Sequence, residues 1–419
     1  MKYKVLLILF GLIFSIQAKC IYLLIPMDDT QNDHLKSYGI TYWVLKNGLE
    51  VKWLLNYRGG SFLMQHSPAI ENECIIRGVS YENISDSQAN ALLNEIAQPD
   101  VNQDAVSMTK APKIAVYSPP NKQPWDDAVT LVLAYAEIDY DIVYDAEILK
   151  GKLSEYDWLH LHHEDFTGQF GKFWRSYQNA PWYLQDVAIN TQLAKELGFS
   201  KVSEMKSMVT QEIYKYVFNG GFLFAMCGAT DTYDISMAAV GIDICETMFD
   251  GDPADKQANE KLNFNNTFAF ENFRLNMNPD EYEFSNIDAT NTRNVIRDND
   301  YFTLFEFSAK WDPIPTMLCQ NHRNLIKGFM GQTTAFRKEV IKPNVLIMGE
   351  NKPANEARYI HGELGMGFWT FYGGHDPEDY RHLIGDPPTD LSLHPNSPGY
   401  RLILNNVLFP AAKKKKRKT

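Results

Sequence analysis

Three groups of residues have the types and spacing that chemistry needs. The first is Cys227, which closes the apolar run GGFLFAMC (220–227) and precedes GATDTYDISMAAVG (228–241). Small neighbours, Ala225, Gly228 and Ala229, suit a sharp strand-to-helix turn that pushes a nucleophile out of a sheet. The N-terminus of the following helix would favour the thiolate, and the amides of Gly228 and Ala229 would hold an oxyanion. The competing expectation is an inert core thiol, a common fate of free cysteines.

The second group lies in GMGFWTFYGGHDPEDY (365–380), where a strand ends at Gly373-Gly374 and His375, Asp376, Glu378 and Asp379 follow. A base after a Gly-Gly turn, with carboxylates one and three residues on, suits the base and orienter of a Cys-His-acid system. A solvated acidic turn is the alternative. The third group is His160, His162, His163, Glu164 and Asp165, within YDWLHLHHEDF (156–166). On a strand, His160 and His162 share one face and His163 points to the other. Imidazoles and carboxylates this dense could ligate zinc or iron, with His375 added. Their spacing matches no closed metal motif, so His162, His163, Glu164 and Asp165 are expected as a polar pocket wall, with no metal and no cofactor.

The elements that must hold these groups alternate between strand and helix. Strand-like runs at 21–26, 50–57, 113–119, 139–145, 156–166 and 220–227 are separated by helix-like segments at 33–48, 124–138 and 183–218. The first two strands and the 113–145 stretch read as two β-α-β units, which implies parallel strands with crossover helices. A polar helix is expected around 85–97. Residues 246–300 are acidic and Asn-rich with weak periodicity, so an inserted, loop-rich region is expected over about 246–320. Strand runs resume at 301–307, 314–319, 325–331, 344–349 and 367–373, and a helix covers 398–408. The reading is an α/β fold: an open, doubly wound, mainly parallel sheet over 111–410, preceded by an N-terminal β-α-β unit over 19–110. In such sheets ligands bind beyond the carboxyl ends of the strands, where all three groups fall.

Composition narrows the function classes. With 419 residues, 45% hydrophobic and 22% charged, the chain has material for a large core and is neither disordered nor fibrous. A net charge of −12, carried against a basic run KKKKRK at 413–418, argues against nucleic-acid binding by the body. That run is expected to be a solvated tail, within 411–419. Lys2 and Lys4 precede the apolar stretch VLLILFGLIFSI (5–16), and Ala18 suits cleavage, so 1–18 reads as a signal peptide and the mature protein as periplasmic or extracellular. No other stretch reaches 18 consecutive apolar residues, so no membrane span is expected after cleavage. The five cysteines (Cys20, Cys74, Cys227, Cys245, Cys319) contain no C-x-x-C, and one at least stays unpaired within the chain.

The strand order, the YDWLHLHHED strand, the strand ending at Cys227 and the late GGHDPED resemble the class I glutamine amidotransferase-like superfamily. The glycine-bracketed strand from Gly365 and Gly367 to FWTFYGGHDPEDY is similar to its ThuA-like branch. The resemblance covers roughly 112–410 and implies Cys227 as nucleophile, His375 as general base and Glu378 as acid. Where the family pattern is Gly-x-Cys-x-Gly, this chain has Ala225 and Ala229. Where it is His-Pro-Glu, this chain reads His375-Asp376-Pro377-Glu378, so Asp376 or Asp379 is also a candidate orienter. The chain also looks like sequences labelled asparagine synthetase B. That activity requires a Cys directly after the initiator Met and an SGGxDS-type loop. Here position 2 is Lys2, and the nearest glycine pair is Gly59-Gly60-Ser61.

Three expectations follow. One is an exported hydrolase in which Cys227 attacks an amide or acyl carbon. The second is a non-catalytic ThuA-like domain that binds a small molecule or glycan, with Trp158, Phe166, Trp174, Trp182, Trp311 and Tyr380 as stacking surface. The third is a metal-dependent enzyme built on the histidines.

Overall fold

The computed structural model describes residues 20–121, 125–312 and 323–412. The signal peptide expected at 1–18, the strand expected at 314–319, Cys319 and the basic run lie outside these residues. The strands are β1 (Cys20–Ile25), β2 (Val51–Leu55), β3 (Ser61–Gln65), β4 (Glu82–Ser85), β5 (Asp104–Met108), β6 (Ile114–Tyr117), β7 (Asp141–Val143) and β8 (Trp158–Leu161). They continue as β9 (Phe222–Met226), β10 (Tyr301–Leu304), β11 (Leu325–Lys327), β12 (Phe336–Arg337), β13 (Leu346–Asn351), β14 (Glu356–Leu364) and β15 (Gly367–Tyr372).

The first five strands form one sheet in the order β4-β1-β3-β2-β5, with every neighbouring pair antiparallel. The expected parallel β-α-β pairing of β1 with β2 is therefore not made. β3 returns from β2 as a hairpin and inserts between them. The turn Arg58-Gly59-Gly60, with φ of +45°, +78° and +93°, reverses the chain over few residues. A short antiparallel return needs less chain closure than a crossover.

The second sheet is mixed, in the order β11-β10-β13-β14-β15-β9-β8-β6-β7, with β12 on β14. β7, β6, β8, β9 and β15 run parallel. From β15 outward through β14, β13, β10 and β11 every pair is antiparallel. The fold is α/β, but half of this sheet departs from the mainly parallel expectation. β14 (EARYIHGEL) follows β13 and precedes β15 through short turns, which bring antiparallel neighbours together without a helix.

The inner parallel strands β6, β8, β9 and β15 are buried on both faces because both are covered. Along β9, Phe222, Phe224 and Met226 enter one core, and Leu223 and Ala225 enter the other. The first core is shared with helices His34–Lys46, Ala128–Tyr135 and Pro398–Leu408, which lie between the two sheets. The second is closed by helices Val202–Phe218 and Ala229–Ala238. Arg401, fully buried, ties the layers: Nε donates to Tyr38 Oη at 3.0 Å and Nη1 to the Met27 carbonyl at 3.2 Å. The 246–300 region consists of short helical turns and loops, as expected. It is pinned to the core by Asp234, whose carboxylate accepts from the N–H groups of Phe268, Ala269 and Phe270 at 2.7, 2.7 and 2.9 Å. Among the described residues no helix is long and apolar enough to cross a membrane.

Candidate functional site

The carboxyl ends of β8, β9 and β15 are adjacent, so the segments that follow them meet. Past β8 comes His162-His163-Glu164, past β9 comes Cys227, and past β15 comes Gly373-Gly374-His375. A loop carrying Gly331, Gln332 and Thr333 closes over Cys227.

Cys227 holds φ +49°, the left-handed region that a non-glycine residue enters at a cost. The sharp turn read from its small neighbours is thus formed. Its N–H donates to the Gly374 carbonyl at 3.2 Å, which locks the turn to the end of β15. The thiol is only 3% exposed. Burial pushes it up to about 11, against the opposing pull of the Gln332, Gly228 and Thr333 N–H groups. The Gln332 N–H lies 3.2 Å from Sγ. Gly331 permits this closeness, since a Cβ there would stand 2.8 Å from the His375 nitrogen and 3.0 Å from Sγ.

The expected oxyanion pair is occupied internally. The Gly228 amide faces Sγ, and the Ala229 amide donates to the His162 carbonyl at 2.9 Å. The expected triad is not assembled either. The His375 imidazole meets His162, with Nδ1 and Nε2 3.1 Å apart, and not Cys227. Asp376, 1% exposed, caps its own turn, accepting from the N–H groups of Glu378 and Asp379 and from Thr389 Oγ1 at 2.9, 3.3 and 2.8 Å. Glu378 pairs with His394 at 3.2 Å. Neither carboxylate orients His375, because Asp376 is spent on the amides of its own turn and Glu378 on His394.

The histidines of β8 converge instead with His375 and with residues the sequence reading passed over. Asp127 caps helix Ala128–Tyr135, accepting from the N–H groups of Val129 and Thr130 at 2.7 and 3.0 Å. The same carboxylate stands 3.2 Å from His160 Nε2 and 3.3 Å from His162 Nδ1. Burial alone would depress His162, but the Asp127 charge and hydrogen bond raise it above the ordinary histidine value. His163 and His375 are driven well below that value by burial and by the neighbouring rings. His382 stacks on His375 with centroids 4.8 Å apart and is pushed up to about 9 by its hydrogen bond to Asp126.

All four expected wall residues gather here: His162 meets His375, and His163, Glu164 and Asp165 line one cavity. The His163 side chain is 8% exposed. Both its ring nitrogens, and Nε2 of His375, are buried without a hydrogen-bond partner. Burial pushes Glu164 up to about 7, and its Oε2 accepts from the His162 N–H at 3.1 Å. Asp165 also ties the following loop, accepting from the Thr167 and Gly171 N–H groups at 2.7 and 3.0 Å. A cavity of about 50 Å³ lies beside His163 and Glu164, walled by Trp125, Phe173 and Trp182. Of the expected stacking residues, Trp182 lines it, whereas Trp158 and Phe166 are core and Trp311 is exposed elsewhere. Asp127 had a legible signal, an acid directly before the apolar helix AVTLVLAY, but no spacing linked it to the histidines. For Asp126 and His382 there was no signal.

No family model matches the chain, and no curated protein matches it. Among solved structures it is similar to cytoplasmic protein STM3548 from Salmonella typhimurium, at 11% identity and a TM-score of 0.35, covering 72% of this chain and 100% of that one. It is similar to cytoplasmic protein STM1381 from Salmonella typhimurium LT2, at 12% identity and a TM-score of 0.33, with the same coverage. A beta-galactosidase from Bacillus circulans sp. alkalophilus matches at 10% identity and a TM-score of 0.26, covering 64% of this chain and 29% of that one.

Proposed function

We propose that the protein is an exported hydrolase of amidotransferase-like fold, acting on an amide or acyl group of a small molecule held at the carboxyl ends of β8, β9 and β15. Its reacting floor is the histidine cluster rather than a Cys227 nucleophile. The observation that carries this reading is the set of buried ring nitrogens on His163 and His375 that nothing in the protein satisfies. Each buried, unpaired polar atom costs about 1–3 kcal/mol, a cost that a ligand or reacting water at this floor removes. A neutral imidazole there takes the proton of water as its oxygen attacks the acyl carbon, and returns it to the leaving amine or alcohol. Cys227 supports the floor by fixing the turn against Gly374.

The test is a screen of chromogenic amides and esters with the full chain, followed by variants. H163Q and H375Q should abolish turnover, and C227A should keep it within a few-fold. Turnover lost in C227A and kept in H375Q would return the nucleophile to Cys227. A second reading, a non-catalytic binding domain, is favoured by the aromatic wall of Trp125, Phe173 and Trp182. It predicts ligand-dependent tryptophan fluorescence with no turnover of any substrate.

A further inference from the structure

The histidine cluster has a geometry that an uncharged hydrogen-bonded pair does not explain. His162, His163 and His375 each present a ring nitrogen, and the three nitrogens lie within 4.8 Å of one another. His162 Nε2 and His375 Nδ1 are 3.1 Å apart. Two imidazole nitrogens on a tetrahedral ion, each about 2.0–2.1 Å from it, stand about 3.3 Å apart, so little motion admits a metal. If the two rings merely shared a hydrogen, both nitrogens of His163 would remain buried with no hydrogen-bond partner, whereas an ion takes one of them as a ligand.

The outer contacts point the same way. Asp127 Oδ1 stands 3.3 Å from His162 Nδ1, a charge contact that favours a proton on Nδ1 and leaves the Nε2 lone pair toward His375. A carboxylate on the far nitrogen is the usual support of a metal-bound histidine, since it fixes the tautomer and raises ligand basicity. The carboxylate is itself held by the helix N-terminus it caps. On the far side of His375, the His382 ring stacks at 4.8 Å and is fixed by Asp126 and Asp379 at 2.7 and 2.9 Å. The ligand rings are therefore packed in place.

We infer that His162, His163 and His375 form a binding site for one divalent transition-metal ion, with a fourth position open toward the small cavity beside Glu164. Three imidazoles and no carboxylate select a borderline ion such as zinc or cobalt and disfavour magnesium and calcium, which take oxygen ligands. Three protein ligands with one open position is the arrangement of a catalytic rather than a structural site. This inference rests on the proposed histidine floor and gives it a metal cofactor. The ion would supply Lewis acidity at that floor. Glu164 then lies where it can exchange a proton with a bound substrate or water.

The experiment uses the full chain, stripped with chelator and titrated with cobalt chloride, read by visible absorption and by metal content after desalting. The expected result is one equivalent bound, with the intense visible bands of a low-coordinate nitrogen site. Magnesium should not compete and zinc should displace the cobalt. H163Q and H375Q should each weaken binding at least 100-fold, and D127N about 10–100-fold, with far-ultraviolet circular dichroism unchanged. The milder H163N serves if a glutamine variant fails to fold. Uptake of no cobalt, or equal uptake by the wild type and both histidine variants, overturns the site. Stoichiometric cobalt without hydrolysis upholds it and defeats the hydrolase reading. Chelator-resistant hydrolysis by a chain that takes up no cobalt overturns the metal and leaves the histidine floor standing.

Discussion

His361 offers a test of how burial couples this fold to pH. It lies on β14, opposite Thr370 of β15, and is 1% exposed. Its Nδ1 meets Thr370 Oγ1 at 3.0 Å, and its ring stacks on Phe368 with centroids 5.9 Å apart. Burial pushes it down to about 3. In the unfolded chain its value is about 6.5. A depressed histidine stabilises the fold fully above the unfolded value and loses that contribution as pH falls toward the folded one. At pH 5 the unfolded chain has taken up the proton and the folded chain has not. The loss there, relative to pH 8, is about 2 kcal/mol. The assay is denaturant unfolding at pH 8 and pH 5 for the wild type and for H361Q, whose amide still reaches Thr370 but does not titrate. The variant should be less stable at both pH values, because the fit is imperfect. Its loss between pH 8 and pH 5 should nevertheless be smaller than the wild type's by about 2 kcal/mol. Equal losses in the two proteins would refute the reasoning, since His361 would then be charging within the fold.

Other predictions follow from the same contacts. With its thiol pushed up to about 11, Cys227 should react with iodoacetamide about 100-fold more slowly at pH 7 than an exposed cysteine, and quickly only after unfolding. Rapid labelling of the folded protein at pH 7, followed by mass spectrometry, would contradict this. Gly331→Ala places a methyl group against the backbone of His375 and Gly374 and against Sγ of Cys227. It should lower stability by about 1–3 kcal/mol and abolish ligand or metal binding, and unchanged calorimetry with unchanged binding would show that the loop yields. Arg293 bridges two buried carboxylates, Asp300 and Glu356, at 2.8 and 2.6 Å. Arg293→Met strands Glu356 and leaves Asp300 only the Arg358 guanidinium at 3.6 Å; it should cost about 3–5 kcal/mol, so a thermal midpoint that does not move would mean the pair is neutralised in other ways.

Much of the fold was legible because hydrophobic periodicity and turn residues act locally. The strand at 222–226, the helices at 34–46, 86–96 and 398–408, and the loop-rich 246–300 region follow from runs a few residues long. Cys227 was legible for the same reason: the small residues Ala225, Gly228 and Ala229 around it suit a sharp turn, and its φ of +49° is that turn. Which strands pair is a different matter. β3 and β14 carry no pattern that distinguishes hairpin from crossover, so the antiparallel first sheet and the antiparallel half of the second emerge only from tertiary packing.

The sequence by itself determined that chemistry-bearing residues fall at the ends of apolar strands, because strand ends are where apolar runs stop and polar residues begin. It also set the types present: one thiol at a tight turn, three histidines within four residues, and a histidine after two glycines. Only the tertiary structure decided which of them act together. His375 turns to His162 rather than to Cys227, and Asp376 and Glu378 are spent on local turns and on His394. Asp127, 33 residues before His160, closes the cluster from another element. Side-chain direction at a strand end depends on the neighbouring strands, and a partner supplied by a distant helix cap leaves no mark in residue spacing.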